Sequence, residues 1–353
     1  MNEMFDTYTL SRVNPKQPAK LASIKAFLAR FDLGVDKDVE RYIVAYSGND
    51  IVACGGIAGN ILKSIAIVPE LHGSGFSLTL MTELTNLAYE MQRFELFLFT
   101  KPDNVKFFRQ SGFFPIAKAD DKLVLLENSK YRFRNYCRSL NKFKMPGDKI
   151  GGIVMNANPF TLGHQYLVEQ AAKDCDWLHL IVVREDSSEF SYQDRFKMIK
   201  DGVGHIENIT VHSGSNYIIS RATFPTYFIK SQGLIDYCYT AIDLQIFRQY
   251  IAPALGINYR YVGTEPQCSV TRHYNEQMKS WLTTPELKAP PLTVVEIARK
   301  TSHGEPISAS TVRSLLTRGD ISLLDAFLPK TSIDYIQSNL PSLLHCSDEF
   351  AAA

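Results

Sequence analysis

Apolar and polar residues follow one spacing pattern in the first part of this chain of 353 residues and another in the second part. In the first part the apolar runs are short, and Arg41–Tyr46 and Ile51–Ile57 flank residues 47–50, whose sequence is typical of a hairpin turn. After the glycines of residues 72–75, apolar residues recur at helical spacing and predict a helix. Two more strands and a short helix are predicted at Ile61–Val68, Glu95–Thr100 and Asn104–Gln110. This part therefore predicts an α+β domain.

From Lys149 onward, predicted strands and helices alternate. The strand Ile150–Met155 precedes a helix over Gly163–Lys173, and the apolar run Trp177–Val183 is typical of a parallel strand buried on both faces. Further strands are predicted at Ile209–His212, Arg260–Val262 and Leu292–Ile297. This alternation predicts an α/β fold with a doubly wound parallel sheet, which binds ligands at the carboxyl ends of its strands.

A change of composition separates the two parts. Residues 131–148 are rich in basic and aromatic side chains and end in a Pro-Gly-Asp turn. We therefore predict a first domain over 1–130, a basic linker over 131–148 and a second domain over 149–345. The leading interpretation of the linker is a solvated segment between domains, the next is a docking surface for an acidic partner, and nucleic-acid binding comes last.

The overall composition excludes several classes of protein. With 45% hydrophobic residues, 21% charged residues and a net charge of +1, the chain has the composition of a globular protein without a field that attracts nucleic acid or membranes. No apolar run approaches the roughly 20 residues of a membrane helix. The six cysteines are scattered without metal-ligand spacing, which favours reduced thiols, a cytoplasmic location and no protein-held metal.

The first candidate site follows the strand Ile150–Met155. A loop containing Asn156 and Asn158 leads into a helix that begins near Gly163 and His164. The unpaired N–H groups of a helix start suit a phosphate, and His164 there could donate hydrogen bonds to charge developing on an α-phosphate. Taken alone, a histidine after a glycine is usually only a residue of the helix start.

The second candidate site follows the strand Leu292–Ile297. Ser308, Ser310 and Thr311 open a helix and Arg313 lies one turn into it, a pattern that could clamp β- and γ-phosphates. Hydroxyls at a helix start are by themselves ordinary N-caps. The presence of both patterns at the first and last strand–helix junctions favours a shared phosphate site.

These residues carry a resemblance to a known superfamily. Residues 161–164 resemble the (H/T)xGH motif of nucleotidyltransferases, and residues 307–313 resemble their ISSTxxR motif. The resemblance implies catalytic roles for Thr161, His164 and Arg313. It also implies that ATP is bound by a wider set, namely Asn156, Asn158, Gly163, His164, Arg195, Gly263, Ser308, Ser310, Thr311 and Arg313.

The first domain has its own resemblance. Residues 69–75 resemble the glycine-rich loop with which GNAT acetyltransferases bind the pyrophosphate of coenzyme A, and residues 104–113 resemble that family's NxxFFxxxGF segment. The resemblance implies a GNAT-like fold. It also implies that Gly73, Gly75 and Asn104 contact a pantetheine or coenzyme-A-like arm.

The two domains together resemble the [citrate (pro-3S)-lyase] ligase family over essentially the whole chain, including residues 156–164, 224–230, 242–247 and 262–266. The resemblance implies that ATP and acetate form acetyl-AMP, with Mg²⁺ held mainly by the phosphates. The acetyl group then passes to the thiol of the dephospho-coenzyme-A-like group on the acyl carrier subunit of citrate lyase. Three alternatives stay open: a nucleotidyltransferase that makes a dinucleotide cofactor, an N-acetyltransferase with a nucleotide-sensing domain, and a non-catalytic scaffold.

Overall fold

The computed structural model describes residues 8–184, 188–218, 224, 227, 231–266, 268–302 and 304–339. Contacts divide the chain into two compact units. The first unit contains the described residues up to Arg134 and those between Phe224 and Ile242. The second unit contains the described residues from Asn135 to residue 218 and from Asp243 onward.

The first unit contains one seven-stranded sheet in the order β1-β2-β3-β4-β5-β7-β6. Its strands are β1 (Thr9–Val13), β2 (Arg41–Ser47), β3 (Asp50–Ala58), β4 (Ile61–Ile67), β5 (Phe97–Thr100), β6 (Phe114–Ala119) and β7 (Leu123–Glu127). Its helices include α1 (Pro18–Ala29), α2 (Phe76–Glu90) and α3 (Val105–Gln110), with 3₁₀ turns at Pro69–Leu71 and Pro102–Asn104. All neighbouring strands are antiparallel except β4 and β5, which pair in parallel at Ile61–Phe97 and Leu62–Leu98.

The hairpin and helix predicted for the first unit are confirmed. Strands β2 and β3 flank a turn in which Gly48 has φ +60°. Helix α2 begins after Gly75, whose φ of +84° lies in the left-handed region that glycine adopts at little cost. Leu80, Leu84 and other apolar residues of α2 are buried in the core, as the helical spacing predicts. Strands β1, β6 and β7 and helix α1 were not predicted.

The second unit is built on a parallel sheet. Its strands are β8 (Ile150–Met155), β9 (Trp177–Val182), β10 (Ile209–His212), β11 (Tyr259–Gly263) and β12 (Thr293–Ile297), followed by the short pair β13 (Thr301–Ser302) and β14 (Glu305–Pro306). In order along the chain, the helices after α3 are α4 (Arg132–Leu140), α5 (Leu162–Asp174), α6 (Tyr192–Gly202), α7 (Gln232–Ile246), α8 (Ala252–Leu255), α9 (Ser269–Thr283) and α10 (Ala309–Arg318). Of these, α4 begins in the first unit, and α7 belongs to the first unit as far as Ile242. Shorter turns occupy Asn141–Phe143 (3₁₀), Phe247–Ile251 (π) and Ile321–Ala326 (3₁₀).

The order of the parallel strands locates the expected ligand site. The order is β10-β9-β8-β11-β12, and every neighbouring pair is parallel. The chain runs outward from β8 through β9 to β10 and then returns to the other side of β8. Such a reversal opens a crevice at the carboxyl ends of the two central strands, here β8 and β11. The predicted doubly wound parallel sheet is thereby confirmed.

The observed units differ from the predicted boundaries 1–130, 131–148 and 149–345. The predicted linker contains helix α4, because Phe133 and Leu140 are seven residues apart and both buried on one side of two helical turns. The described residues between Phe224 and Ile242 belong to the first unit, so the second unit is interrupted in sequence. Of the family-like stretch 224–230, only residues 224 and 227 lie within the described part of the chain.

Candidate active site

A cavity opens at the carboxyl edge of the parallel sheet in the second unit. Its volume is about 360 Å³. It lies against β8, β11 and β12, from which Ile153, Val262, Gly263 and Ile297 contribute to its lining. This is the crevice in which the strand order predicts a ligand.

The two candidate motifs meet in this cavity. Its lining includes Thr161, Gly163 and His164 from the start of α5 and Ser308, Ser310 and Arg313 from the start of α10. A Cβ added at Gly163 would lie 3.4 Å from the carbonyl oxygen of Ile307, so the two helix starts are in direct contact. Arg313 Nη1 also donates to the carbonyl oxygen of Asn158 at 2.8 Å. The predicted convergence of the motifs is confirmed.

The imidazole of His164 is held in one tautomer. Its Nδ1 accepts a hydrogen bond from the backbone N–H of Thr161 at 3.1 Å and lies 2.9 Å from Thr161 Oγ1. Because an amide N–H can only donate, Nδ1 carries no proton and the neutral ring carries its proton on Nε2. Burial, and after it the positive charge of Arg299, lowers the pKa of His164 from 6.5 to about 4. Near pH 7 the ring is therefore a neutral Nε2–H donor.

The start of α10 supplies hydroxyl and amide donors. Ser308 is its N-cap: Ser308 Oγ accepts from the backbone N–H of Ser310 at 3.3 Å and lies 2.6 Å from Ser310 Oγ. One turn in, Arg313 Nε donates to Glu189 Oε1 at 3.0 Å. The helix has ten residues, and its first N–H groups and dipole favour an anion at this end.

Four predicted ATP-binding residues lie outside the cavity lining, and three of them are Asn156, Asn158 and Thr311. Asn156 Nδ2 donates to Ser188 Oγ at 3.2 Å, and Asn158 Oδ1 accepts from the backbone N–H of Phe190 at 3.0 Å. Thr311 is exposed on the outer side of α10. Through these hydrogen bonds the two asparagines stabilise the loop before α5.

Arg195, which is predicted to bind ATP, also lies outside the cavity lining. Its side chain is fully buried. Nε donates to the carbonyl oxygen of Phe190 at 3.2 Å, while Nη1 donates to Asn156 O at 2.8 Å, Asn156 Oδ1 at 2.7 Å and Val183 O at 3.0 Å. The guanidinium satisfies several buried carbonyls at once, so Arg195 positions the loop that carries the first motif.

Comparisons with known proteins bear on the family of this chain. The family of the citrate lyase ligase C-terminal domain matches residues 150–336. A relative from Escherichia coli strain K12, [citrate [pro-3S]-lyase] ligase, is 51% identical over 350 residues, which cover 99% of this chain and 98% of the relative. The chain belongs to the citrate lyase ligase family. The predicted family and the predicted enzyme class, a ligase, are confirmed.

Two further likenesses concern parts of this citrate lyase ligase family member. A phosphopantetheine adenylyltransferase from Streptococcus gordonii is 32% identical over 114 residues, covering 31% of this chain and 69% of that protein. The similarity to an adenylyltransferase, together with the similarity to a ligase, supports the predicted use of ATP. The crystal structure of Escherichia coli ElaA covers 34% of this chain and 99% of its own, with 12% identity and a TM-score of 0.32. Among the described residues, no helix is both long and apolar enough to cross a membrane.

The cavity of this ligase family member also contains an arginine that motif reasoning missed. Arg299 lines it beside His164 and Ser308. A sequence signal was present, because Arg299 comes two residues after the predicted strand Leu292–Ile297 and hence at the ligand-binding edge of the sheet. Gly263, which is predicted to bind ATP, lines the cavity at the end of β11. A Cβ added there would meet no atom within 4 Å.

The first unit has a cavity of its own, with a volume of about 520 Å³. It opens where β4 and β5 stop pairing, and Gly73, Gly75 and Asn104 all contribute to its lining. Most other lining residues are apolar, including Leu62, Ile67, Leu98, Phe107 and Phe108. The predicted arm-binding residues therefore line one largely apolar slot.

Proposed function

We propose that this ligase family member activates acetate as acetyl-AMP in the second-unit cavity. It then acetylates the thiol of the dephospho-coenzyme-A-like group on the acyl carrier subunit of citrate lyase. The main support is the meeting of the two motifs in one cavity of about 360 Å³. A neutral imidazole donor, the hydroxyls of a helix start and arginine side chains are the groups that bind a triphosphate well.

In the first step, a carboxylate oxygen of acetate attacks the α-phosphorus of ATP. The bond from that phosphorus to the bridging oxygen breaks, and pyrophosphate leaves with the electron pair. The Nε2–H of His164 would donate to the charge that develops on the α-phosphate. Ser308, Ser310 and Arg313 at the start of α10 would hold the β- and γ-phosphates. Thr161, which is almost fully buried, would act by fixing the ring of His164.

In the second step, the thiol sulfur attacks the acetyl carbon of acetyl-AMP. The bond from this carbon to the phosphate oxygen breaks, AMP leaves, and the thiol proton passes to solvent. We assign the slot of the first unit to the pantetheine arm, because its apolar walls suit the thin aliphatic chain. The backbone N–H groups of Gly73 and Gly75, which line the same slot, would bind phosphate.

Mg²⁺ is expected to accompany ATP and to be held mainly by phosphate oxygens and water. The cavity fits this arrangement, since its carboxylate, Glu265, is already paired with Arg299 at 2.6 Å. Among the described residues, no cluster of three or more His, Cys, Asp or Glu side chains could hold a metal. The ion would neutralise phosphate charge, and the residues named above would orient the nucleotide.

ATP–pyrophosphate exchange with a panel of small carboxylic acids tests this proposal. Acetate should support exchange, since reversible formation of acetyl-AMP returns label to ATP. Exchange that requires a nucleotide monophosphate or phosphopantetheine would identify a cofactor-forming nucleotidyltransferase. Acetyl transfer from acetyl-coenzyme A without ATP would identify an N-acetyltransferase.

The assignment of the arm to the first unit predicts a separation of the two half-reactions. Gly75→Leu should leave acetate-dependent exchange unchanged but slow thioester formation roughly tenfold or more, because Gly75 lines the slot and a leucine side chain there would take up its space. Gly75 has φ +84°, so the variant also carries backbone strain. Gly48→Leu is the matched control, since Gly48 has φ +60°, faces open space and lies in the β2–β3 turn away from the slot. Equal loss of both half-reactions in Gly75→Leu would refute the assignment.

A further inference from the structure

Arg299 is a charged side chain of the second-unit cavity to which the mechanism above gives no role. It lies two residues beyond the end of β12 and lines the cavity together with His164, Ser308 and Ser310. Its neighbours are therefore the groups proposed to bind the α-phosphate and the leaving pyrophosphate.

The guanidinium of Arg299 is held by the end of the adjacent strand. Nη2 donates to Glu265 Oε2 at 2.6 Å, and the backbone N–H of Arg299 donates to Thr264 Oγ1 at 3.1 Å. Strands β11 and β12 pair in parallel, with Gly263 opposite Ile297, so both residues emerge at the same edge. Glu265 is itself fixed, because it is 9% exposed and its Oε1 accepts from the backbone N–H of Cys268. The guanidinium is thus oriented without a ligand.

Arg299 retains donors for a ligand. Within the described part of the chain, one of its five side-chain N–H groups is used, on Glu265. Arg313, by contrast, uses Nε on Glu189 and Nη1 on Asn158. The positive charge of Arg299 also lowers the pKa of His164, as the second cause after burial. The permanent charge of a guanidinium and the neutral donor of His164 therefore act on the same region of the cavity.

We propose that Arg299 binds the negative charge that moves onto pyrophosphate as it leaves, and that Glu265 is the positioning residue that aims its guanidinium. This inference rests on the proposed adenylylation. Charge accumulates on the pyrophosphate oxygens as the bond to the α-phosphorus breaks, so a pre-oriented cation there stabilises the transition state more than bound ATP. Arg313 would keep the role given above and hold the β- and γ-phosphates together with Ser308 and Ser310.

The test compares Arg299→Gln and Arg299→Lys in acetate-dependent ATP–pyrophosphate exchange. Arg299→Gln should lower the maximal exchange rate roughly tenfold to hundredfold and raise the KM for pyrophosphate, with little change in the KM for acetate. Arg299→Lys should restore part of the rate, because it keeps the charge without the planar fork. The control is Arg318→Gln, which removes an exposed arginine of α10 that is paired with Asp320. An Arg299→Gln enzyme that matches this control would overturn the inference.

Two further measurements separate this inference from the proposed function. If wild-type protein shows no acetate-dependent exchange, the proposed function fails, whereas normal wild-type exchange with unaffected Arg299 variants defeats only the inference. NMR titration of His164 does not depend on enzyme activity. Arg299→Gln should raise the pKa of His164, because it removes a positive charge near the ring. An unchanged pKa would contradict the position of Arg299 beside His164. Glu265→Gln, which keeps an acceptor, should retain more exchange than Glu265→Ala, and wild-type activity in Glu265→Ala would refute the positioning role.

Discussion

His164→Ala is expected to slow acetate-dependent ATP–pyrophosphate exchange at least a hundredfold, which is about 2.7 kcal/mol or more of transition-state stabilisation. The structure gives the physical reason. The backbone N–H of Thr161 occupies Nδ1, so the Nε2–H of the neutral ring is available to a ligand in the cavity. A donor oriented before the reaction stabilises developing phosphate charge without reorganisation, and alanine removes it.

The control for this prediction is His205→Ala. His205 is exposed, its Nε2 donates one hydrogen bond to Glu169 Oε1 at 3.1 Å, and it lies outside the cavity lining. It should retain exchange within about twofold of wild type, since surface substitutions of this kind change stability by about 0.5 kcal/mol or less. A His164→Ala enzyme within tenfold of this control would show that His164 is a helix-start residue without a catalytic role.

The lowered pKa of His164 also fixes how exchange depends on pH. Since its pKa is about 4, exchange between pH 8 and pH 6.5 should show no change due to protonation of this ring. Below that range the folded state itself becomes less stable, because burial also lowers the pKa of His179 and of His212 to about 4. The unfolded chain binds protons on these histidines below about pH 6.5 and the folded chain does not until about pH 4. Stability therefore falls as the pH falls through this window.

Local signals in the sequence were sufficient where geometry follows from neighbouring residues. The turn at residues 47–50 predicted the β2–β3 hairpin, and the apolar run Trp177–Val183 predicted a buried parallel strand that is observed as β9. The strand–loop–helix order around Gly163 and Ser308 predicted that both helix starts would face one ligand, because parallel strands share a carboxyl edge. These predictions needed only the turn residues, the spacing of apolar residues and the edge that parallel strands share.

Long-range contacts were not available from such patterns. Nothing local to residues 224–242 indicates that they belong to the first unit, where Tyr227 O accepts from the backbone N–H of Gly34 and Tyr227 Oη donates to Phe99 O. Motif matching also treats every arginine near a phosphate loop as a ligand contact. It could not show that Arg195 is turned inward to backbone carbonyls while Arg299, outside any motif, faces the cavity.

Arg195→Met is expected to destabilise the second unit by about 3–5 kcal/mol, since each buried acceptor left without a donor costs about 1–3 kcal/mol and the loop can relax only in part. The variant would leave the carbonyl oxygens of Phe190, Asn156 and Val183 without the donors that Arg195 supplies. Methionine fills much of the same volume, so the loss reports hydrogen bonds more than a cavity. The midpoint of thermal or urea unfolding, followed by a probe in the second unit, measures the effect.

Lys197→Met on the same helix provides the comparison that decides the role of Arg195. Lys197 is exposed and pairs with Asp201 one turn away, an interaction worth about 0.3–0.5 kcal/mol. If Arg195 acts by holding the loop of Asn156, Arg195→Met should lower the unfolding midpoint well below that of Lys197→Met. The Arg195→Met molecules that remain folded should catalyse exchange with an unchanged KM for ATP. A variant as stable as Lys197→Met but with a KM for ATP raised tenfold would instead place the guanidinium on the nucleotide. That result would require Arg195 to leave its backbone carbonyls when ATP binds.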